Sequence, residues 1–432
     1  MSLEIRNLDV VYGNGGHSIQ ALENIDLTID RGKCLALIGE SGSGKTTFGK
    51  ACLGLLPENA RIHGAILLNG ERIPYEDKMS LQGIRWKKIA MVFQNGAANL
   101  NPSHRIIDQV AEPLLVHGVE NSSDARMRAA IALEQMGIGS DAHGRYPHQF
   151  SGGQAQKIQL AMAMILDPEI LILDEPTSAL DALSKGLVHR LIVEKKSRGK
   201  TIVLITHDLE FAVGCADTVA VLYLGQIMEK LPAEQVFSNP LHPYTLALKR
   251  SYPAMNNARD LGGIRGDAFY RTVHQHGRGK ETDYLHSHIQ VPESSHKDGH
   301  APPVGCLFGQ RCTQAVERCK QGPIQIESVE DHEVRCVRRG IAERFVLNGV
   351  TKRYGSTRAL HPVTLNVKAG EIFSLVGETG SGKTTLAMIA AGVLSPDAGT
   401  RYFEGRNMDQ WIKKNYRSLA GRIGVIYQNP AE

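Results

Sequence analysis

GESGSGKTT, residues Gly39–Thr47, decides how the first 250 residues are read. The run before it, GKCLALIG, is short, apolar and closed by glycine, which predicts a buried strand leading into the loop. A glycine-rich loop between a strand and a helix turns its backbone N–H groups inward, and the helix adds its positive N-terminal end, so the arrangement cradles phosphate. Gly39, Ser41, Gly42, Ser43 and Gly44 make the wrap. Lys45 supplies positive charge to the outer phosphate oxygens, and Thr46, followed by Thr47, brings a hydroxyl suited to Mg²⁺.

Outward from this loop the same texture continues. ILIL (Ile170–Leu173) and TIVLIT (Thr201–Thr206) are nearly continuous apolar runs, the pattern of parallel strands covered on both faces. LSKGLVHRLIVEKKSRGK between them predicts a helix ending in glycine and lysine. Alternating strands and helices predict an α/β domain over residues 1–250. ILILDEP places Asp174 and Glu175 at a strand end, where the first carboxylate suits Mg²⁺ and the second suits an attacking water. Two acids capping a helix is the plainer alternative.

Further motifs bring in a family. MVFQ (Met91–Gln94), FSGGQ (Phe150–Gln154), SALD (Ser178–Asp181) and ITHD (Ile205–Asp208) occur in this order around the two phosphate-binding elements. The set resembles the Q-loop, signature, D-loop and switch histidine of ABC-type ATPases, and the resemblance spans residues 1–250. It implies a P-loop NTPase fold with an antiparallel β subdomain and a helical subdomain, binding ATP and Mg²⁺. It further implies that Tyr12 stacks on adenine, Gln94 senses Mg²⁺ and the attacking water, Glu175 acts as base and His207 contacts the γ-phosphate. Ser151, Gly152, Gly153 and Gln154 would open a helix facing the nucleotide of a second ATPase domain in trans. Tyr12 at a strand end also fits simple packing, and His207 also fits a core histidine. NLNP (Asn99–Pro102), YPHQFSGGQ and HPYT (His242–Thr245) resemble the ATPases of oligopeptide, dipeptide and nickel importers. Ala155, where that family commonly has arginine, and QNGAA after the Q-loop depart from the pattern.

From about Ser251 the chain turns polar and rich in glycine and histidine, predicting a loop-dominated linker or small appended module to about Pro303. Residues 251–340 are read as that linker plus a small cysteine-containing C-terminal module. Cys34, Cys52 and Cys215 are scattered and read as buried apolar groups. Cys306, Cys312, Cys319 and Cys336 fall in one segment without a C-x-x-C pair, so zinc-ribbon spacing does not apply. Four thiolates suffice for an iron–sulfur cluster, which occurs in some proteins resembling this subgroup; ordinary buried cysteines are the competing reading. His274, His276, His286, His288, His296 and His300 read as a solvated linker or as metal ligands.

At about Phe345 the opening pattern restarts and leads to GETGSGKTT, residues Gly377–Thr385. Tyr354, Gly377, Gly380, Gly382, Lys383, Thr384, Thr385 and Gln428 repeat the nucleotide-binding positions, and residues 341–432 are expected to be the N-terminal part of a second ABC ATPase domain, truncated after its Q-loop. The signature serine of the first domain lies 57 residues beyond Gln94, whereas four residues follow Gln428. Such a half-domain buries less apolar surface than a complete one and is poorly stable alone.

Composition bounds the function. The 432 residues are 42% hydrophobic and 22% charged, with a net charge of +4. That charge is small for the length and argues against a nucleic-acid partner. No run reaches the roughly 18 apolar residues of a membrane span, and the N-terminus carries no secretory pattern, so the chain is expected in the cytoplasm, peripheral on the inner face of the cell membrane. The expected partners are transmembrane permease subunits and a solute-binding protein, with ATP hydrolysis driving import of peptides, nickel or a related solute. Two other functions compete: a soluble tandem ABC ATPase resembling the methyl-coenzyme M reductase activation component, and a DNA-maintenance ATPase.

Overall fold

The computed structural model describes residues 1–14, 17–75, 77–251, 270–275, 285–290 and 305–427, and Gln428 lies outside them. Its strands and helices follow in chain order as β1 (Leu3–Asn14), β2 (His17–Ile29), β3 (Cys34–Ile38), α1 (Lys45–Cys52), β4 (Ala60–Leu68), β5 (Glu71–Arg72), α2 (Lys78–Ile84), β6 (Ile89–Val92), α3 (Ile106–Val116) and α4 (Ser122–Gln135). Next come α5 (Gly152–Met164), β7 (Ile170–Asp174), α6 (Ala182–Ser197), β8 (Thr201–Ile205), α7 (Leu209–Cys215), β9 (Thr218–Tyr223), β10 (Gln226–Pro232), α8 (Pro243–Ser251), β11 (Tyr270–Gln275), β12 (Leu285–Gln290), β13 (Glu327–Val329) and β14 (His332–Val334). They are followed by β15 (Glu343–Tyr354), β16 (Thr357–Lys368), α9 (Lys383–Ala390), β17 (Ala398–Phe403), β18 (Arg406–Asn407) and α10 (Met408–Ala420). These elements fall into two compact units, Met1–Arg311 with Glu317–Arg339, and Cys312–Val316 with Gly340–Glu432.

In the first unit the apolar runs become the parallel centre of a sheet ordered β13-β14-β10-β9-β3-β8-β7-β6. Every residue of β3, β6, β7 and β8 is buried, which is why these strands read as continuous apolar runs. Leu35, Leu37, Ile172, Val203 and Ile205 share one apolar core with Phe48 of α1. At about 1.5–3 kcal/mol for each side chain taken out of water, this packing holds the strand ends where the loops begin. Gly49 lets α1 approach closely, because a Cβ there would come within 2.9 Å of Met91 and 3.3 Å of Ile172 and Ile205. Mid-helix glycine costs about 1 kcal/mol in propensity, and the tight helix–sheet seat offsets it.

A second sheet, β12-β11-β2-β1-β4-β5, forms the antiparallel subdomain. The stretch from Ser251 to Pro303 reads as a loop-dominated linker or small appended module, and among its described residues β11 and β12 pair antiparallel and β11 joins the edge of β2. YRTVHQ and LHSHIQ alternate too weakly to announce strands; backbone pairing with an existing edge supplies what the side-chain pattern does not. His274, His286 and His288 fall on these strands, while His276, His296 and His300 lie outside the described residues.

The helical part comprises α3, α4 and α5, joined through Ile106, Val110, Leu114, Ala125, Ala129, Leu133, Ala155 and Ile158, all fully buried. Buried Gln109 pins the NLNP turn, its Nε2 donating to the carbonyls of Asn101 and His104 (both 2.9 Å) while its Oε1 accepts from the Asn101 N–H (2.8 Å). Among the described residues no helix is long and apolar enough to cross a membrane.

His242, from the HPYT motif, is 1% exposed and accepts the Tyr244 N–H at Nδ1 (3.0 Å). Burial pushes its pKa down to about 4. The folded value lies below the unfolded one, so its contribution to stability is complete above about pH 6.5 and is lost as pH falls toward 4. Urea unfolding of the wild type and His242→Gln between pH 7 and 4.5 is expected to show the wild type losing more, by on the order of 2–3 kcal/mol at the acid end. Equal acid losses in the two proteins would contradict a neutral buried imidazole.

The second unit carries a four-stranded antiparallel sheet, β16-β15-β17-β18, with α9 and α10. Its cores are small: Leu347, Val350, Leu360, Leu386 and Ile389 in one, Phe403, Met408 and Leu419 in another. The residues matching β3, Ile372–Val376, form no strand; Ile372 is 84% and Val376 93% exposed. Ile426, in the stretch matching β6, is wholly exposed. In the first unit β3 is flanked by β8 and β9, and β6 by β7. Among the described residues the second unit has no counterpart of those three strands, so these apolar segments go uncovered.

Candidate functional site

The ends of three adjacent strands, β3, β8 and β7, deliver the site. Gly39, directly after β3, has φ +153°, and a Cβ there would lie 2.1 Å from the Leu222 carbonyl; Gly44, with φ +104°, would drive one to 2.4 Å from Ala21 O. Both positions therefore require glycine. Lys45 Nζ donates to the carbonyls of Gly39 (2.8 Å) and Glu40 (2.9 Å) and to Ser43 Oγ (3.3 Å). Burial pushes its pKa down, and the carboxylates of Glu175, Asp174 and Glu40 oppose that shift. Ser41 and Gly42 are exposed.

Thr46 Oγ1 donates to Asp174 Oδ2 (2.8 Å). Asp174 Oδ1 is buried with no hydrogen-bond partner among the described residues, and burial pushes the carboxyl pKa up. A hydroxyl and a carboxylate with an unspent oxygen, beside a lysine, fit a phosphate-bound Mg²⁺. Glu175 comes next with φ +50°, a left-handed backbone that is uncommon outside glycine and concentrates at functional sites. Its N–H donates to Ile205 O (2.8 Å), and its Oε1 lies 2.8 Å from His207 Nδ1. The glutamate is buried while the His207 side chain is 72% exposed, so the pair leads from the sheet out to the surface. Neither is a plain helix cap or core histidine.

Ser151 opens α5 in a capping box: its Oγ accepts the Gln154 N–H (3.3 Å), and Gln154 Oε1 accepts the Ser151 N–H (3.0 Å). Ser151, Gly152 and Gln154 are exposed. A Cβ on Gly153 would lie 2.8 Å from Ala179 O, so the signature turn rests on the SALD loop. Gln94 is exposed; its carbonyl accepts from Asn99 Nδ2 (2.9 Å), and nearby Gly96 abuts the α5 backbone at Gln156 N, 2.7 Å from where its Cβ would lie. Tyr12 is half-buried and its hydroxyl donates to Thr47 Oγ1 (3.2 Å).

The second unit repeats the loop. Lys383 Nζ donates to Gly377 O (2.8 Å), Glu378 O (2.6 Å) and Ser381 Oγ (3.4 Å). Gly380 and Gly382 have φ +87° and +88°. Thr384 and Tyr354 are exposed, with Thr385 half-buried.

The cysteines do not assemble. Among the described residues no three His, Cys, Asp or Glu side chains are gathered to hold a metal. The Cys306 N–H bonds the Cys319 carbonyl (2.7 Å). The iron–sulfur expectation does not fit this arrangement. Cys34, Cys52 and Cys215 are buried, and burial pushes the Cys52 and Cys215 thiols up to about 12.

Three residues of the site were not legible beforehand. Glu40, inside the loop, is held by Tyr244 and by Arg311 from the cysteine segment. The motifs HPYT and CLFGQRC contained both partners, but no local pattern ties either to residue 40.

The sequence model described as ABC transporter matches residues 22–178 and 360–432. The chain belongs to the ABC transporter family. It is an ATPase of that family, and ATP is its nucleotide. A second model, for the C-terminal region of oligopeptide/dipeptide transporters, matches residues 228–281 and 281–319. The chain is 41% identical over 262 residues to the oligopeptide transport ATP-binding protein OppD of Lactococcus lactis subsp. lactis, covering 60% of this chain and 78% of that one. It is 36% identical to the di/tripeptide transport ATP-binding protein DppF of Pseudomonas aeruginosa, covering 74% and 91% of the two chains. Among solved structures, the ABC cassette MJ0796, a dimer in a post-hydrolysis state with ADP and Pi, is similar at a TM-score of 0.50 and 28% identity, covering 54% of this chain and 98% of that one.

Proposed function

We propose that this chain is the ATP-hydrolysing subunit of an ABC importer that takes up peptides, working on the inner face of the membrane against transmembrane permease subunits and a solute-binding protein. The observation that carries the reading is the convergence of Lys45, Thr46–Asp174 and Glu175–His207 at three neighbouring strand ends. Residues 228–319, matching the C-terminal region of oligopeptide/dipeptide transporters, favour import over the soluble-activator alternative.

The loop from Gly39 to Thr47 and the α1 N-terminus hold the polyphosphate, with Tyr12 beside the base. Thr46 and Asp174, with Gln94 as a further candidate, would hold Mg²⁺, which would offset phosphate charge and polarise the phosphoryl oxygens. Glu175 takes the proton of the attacking water, and His207 orients that carboxylate and faces the γ-phosphate. The exposed Ser151–Gln154 turn covers the nucleotide of another ATPase domain, which covers this one in return. Closure and reopening of the two move the permease through the Q-loop region.

Residues 1–250 form the complete ATPase domain, 251–340 the linker and C-terminal module, and 341–432 the N-terminal part of a second ATPase domain. Exposed Ile372, Val376 and Ile426 support that last assignment, since each matches a position that the first unit buries in its sheet. The acid pair Asp174–Glu175 and His207 stand behind the loop of the first domain, so hydrolysis is assigned there.

Uptake of a radiolabelled tripeptide, measured in cells with and without the gene, tests the substrate class. Loss of peptide uptake with nickel uptake unchanged is expected; peptide uptake that survives deletion would overturn the proposal.

A further inference from the structure

The segment after Gly305 reaches back into the phosphate-binding loop. Arg311, whose side chain is only 4% exposed, grips Glu40 with both arms of its guanidinium: Nη1 to Oε2 at 2.7 Å and Nη2 to Oε1 at 3.0 Å. The same Nη1 donates to the Tyr223 hydroxyl (3.3 Å), and the guanidinium lies 5.7 Å from the Tyr223 ring centre and 6.0 Å from that of Phe308. Tyr223, Tyr244 and Phe308 pack together, with ring centres 4.7–5.5 Å apart.

Every polar group of Glu40 is therefore spoken for. Its N–H donates to the Tyr244 hydroxyl (2.9 Å), its carbonyl accepts from Lys45 Nζ (2.9 Å) and its carboxylate is forked by Arg311. Glu40 is the residue directly after Gly39, so a carboxylate stands within the loop that must receive an anion. A carboxylate left unpaired there would repel phosphate and draw Lys45 away from it. Planar, bidentate pairing neutralises the charge and fixes the backbone together, which a lysine at 311 would do only in part. In the second unit Glu378 occupies the same loop position and is exposed.

We infer that Arg311 is a positioning residue for the nucleotide site: it neutralises Glu40 and locks the phosphate-binding loop, so the stretch ending at Arg311 is part of the ATP site rather than an appendage to it. The inference rests on the reading of Gly39–Thr47 as the polyphosphate cradle. It concerns binding, since Arg311 bonds Glu40 within the loop and the Tyr223 hydroxyl.

The test is MgATP affinity by titration calorimetry on the full chain, for Arg311→Met, Arg311→Lys, Glu40→Gln and the double variant Glu40→Gln/Arg311→Met, each checked by thermal melting. Arg311→Met is expected to weaken binding about tenfold and Arg311→Lys about threefold, while the double variant recovers most of the loss because no bare carboxylate is left. A purely structural role would lower melting temperature in both Met variants without that rescue. Arg311→Met binding as tightly as wild type, or a double variant weaker than Arg311→Met, would overturn the inference. A wild-type chain that fails to bind MgATP would instead remove the cradle reading itself, and the inference with it.

Discussion

Replacing Glu175 with Gln is expected to lower ATP turnover by about 10²–10⁴-fold while MgATP still binds, the range removed when a positioned general base is lost. Three observations make the effect large. The carboxylate is buried, its Oε1 is aligned by His207 Nδ1 at 2.8 Å, and its backbone is held at φ +50°. Gln keeps the shape and the hydrogen-bond reach toward the imidazole but cannot take a proton. Single-turnover hydrolysis measured beside equilibrium binding separates the two consequences. Near-normal hydrolysis in Glu175→Gln would show that another group accepts the proton.

The second large effect belongs to Lys45. Its ammonium is the one side-chain cation that the loop folds around, spanning the carbonyls of Gly39 and Glu40. Burial lowers its pKa and three carboxylates oppose that shift, favouring the charged form where phosphate oxygens arrive. Lys45→Ala is expected to weaken MgATP binding to the first domain by about 10²-fold, the worth of a partly buried charge-assisted contact near 2.7 kcal/mol. Hydrolysis at the Asp174–Glu175 site should fall with it, because that acid pair stands behind the Lys45 loop. Hydrolysis that persisted in Lys45→Ala would assign the active site elsewhere.

Much of this was readable in one dimension because its causes are local. CLALI, ILILD and TIVLI become fully buried parallel strands, and the loop glycines sit where a Cβ has no room. The Asp174–Glu175 pair and His207 meet because β7 and β8 are neighbours in register, Asp174 facing Ile205. What escaped has non-local causes. IFSLV (Ile372–Val376) has the same apolar character as CLALI yet forms no strand, since propensity needs flanking strands to be realised. The pairing of β11 with β2 depends on an available edge rather than on its own alternation. Four cysteines in one segment, read with the resemblance, suggested a ligand set, yet among the described residues no three such side chains are gathered to hold a metal. Arg311 and Glu40 are 271 positions apart, beyond any periodicity or motif.

That separation has a consequence for synthesis. At translation rates of about 5–20 residues per second, Arg311 follows Glu40 out of the ribosome by roughly 15–50 s. Once His207 has been added, the nascent chain displays a finished set of nucleotide-binding letters whose glutamate still has no counter-ion, so newly made protein acquires its full grip on ATP late, near the end of the first unit's translation. Messages broken before codon 311 would yield products that look competent on paper and hold nucleotide loosely.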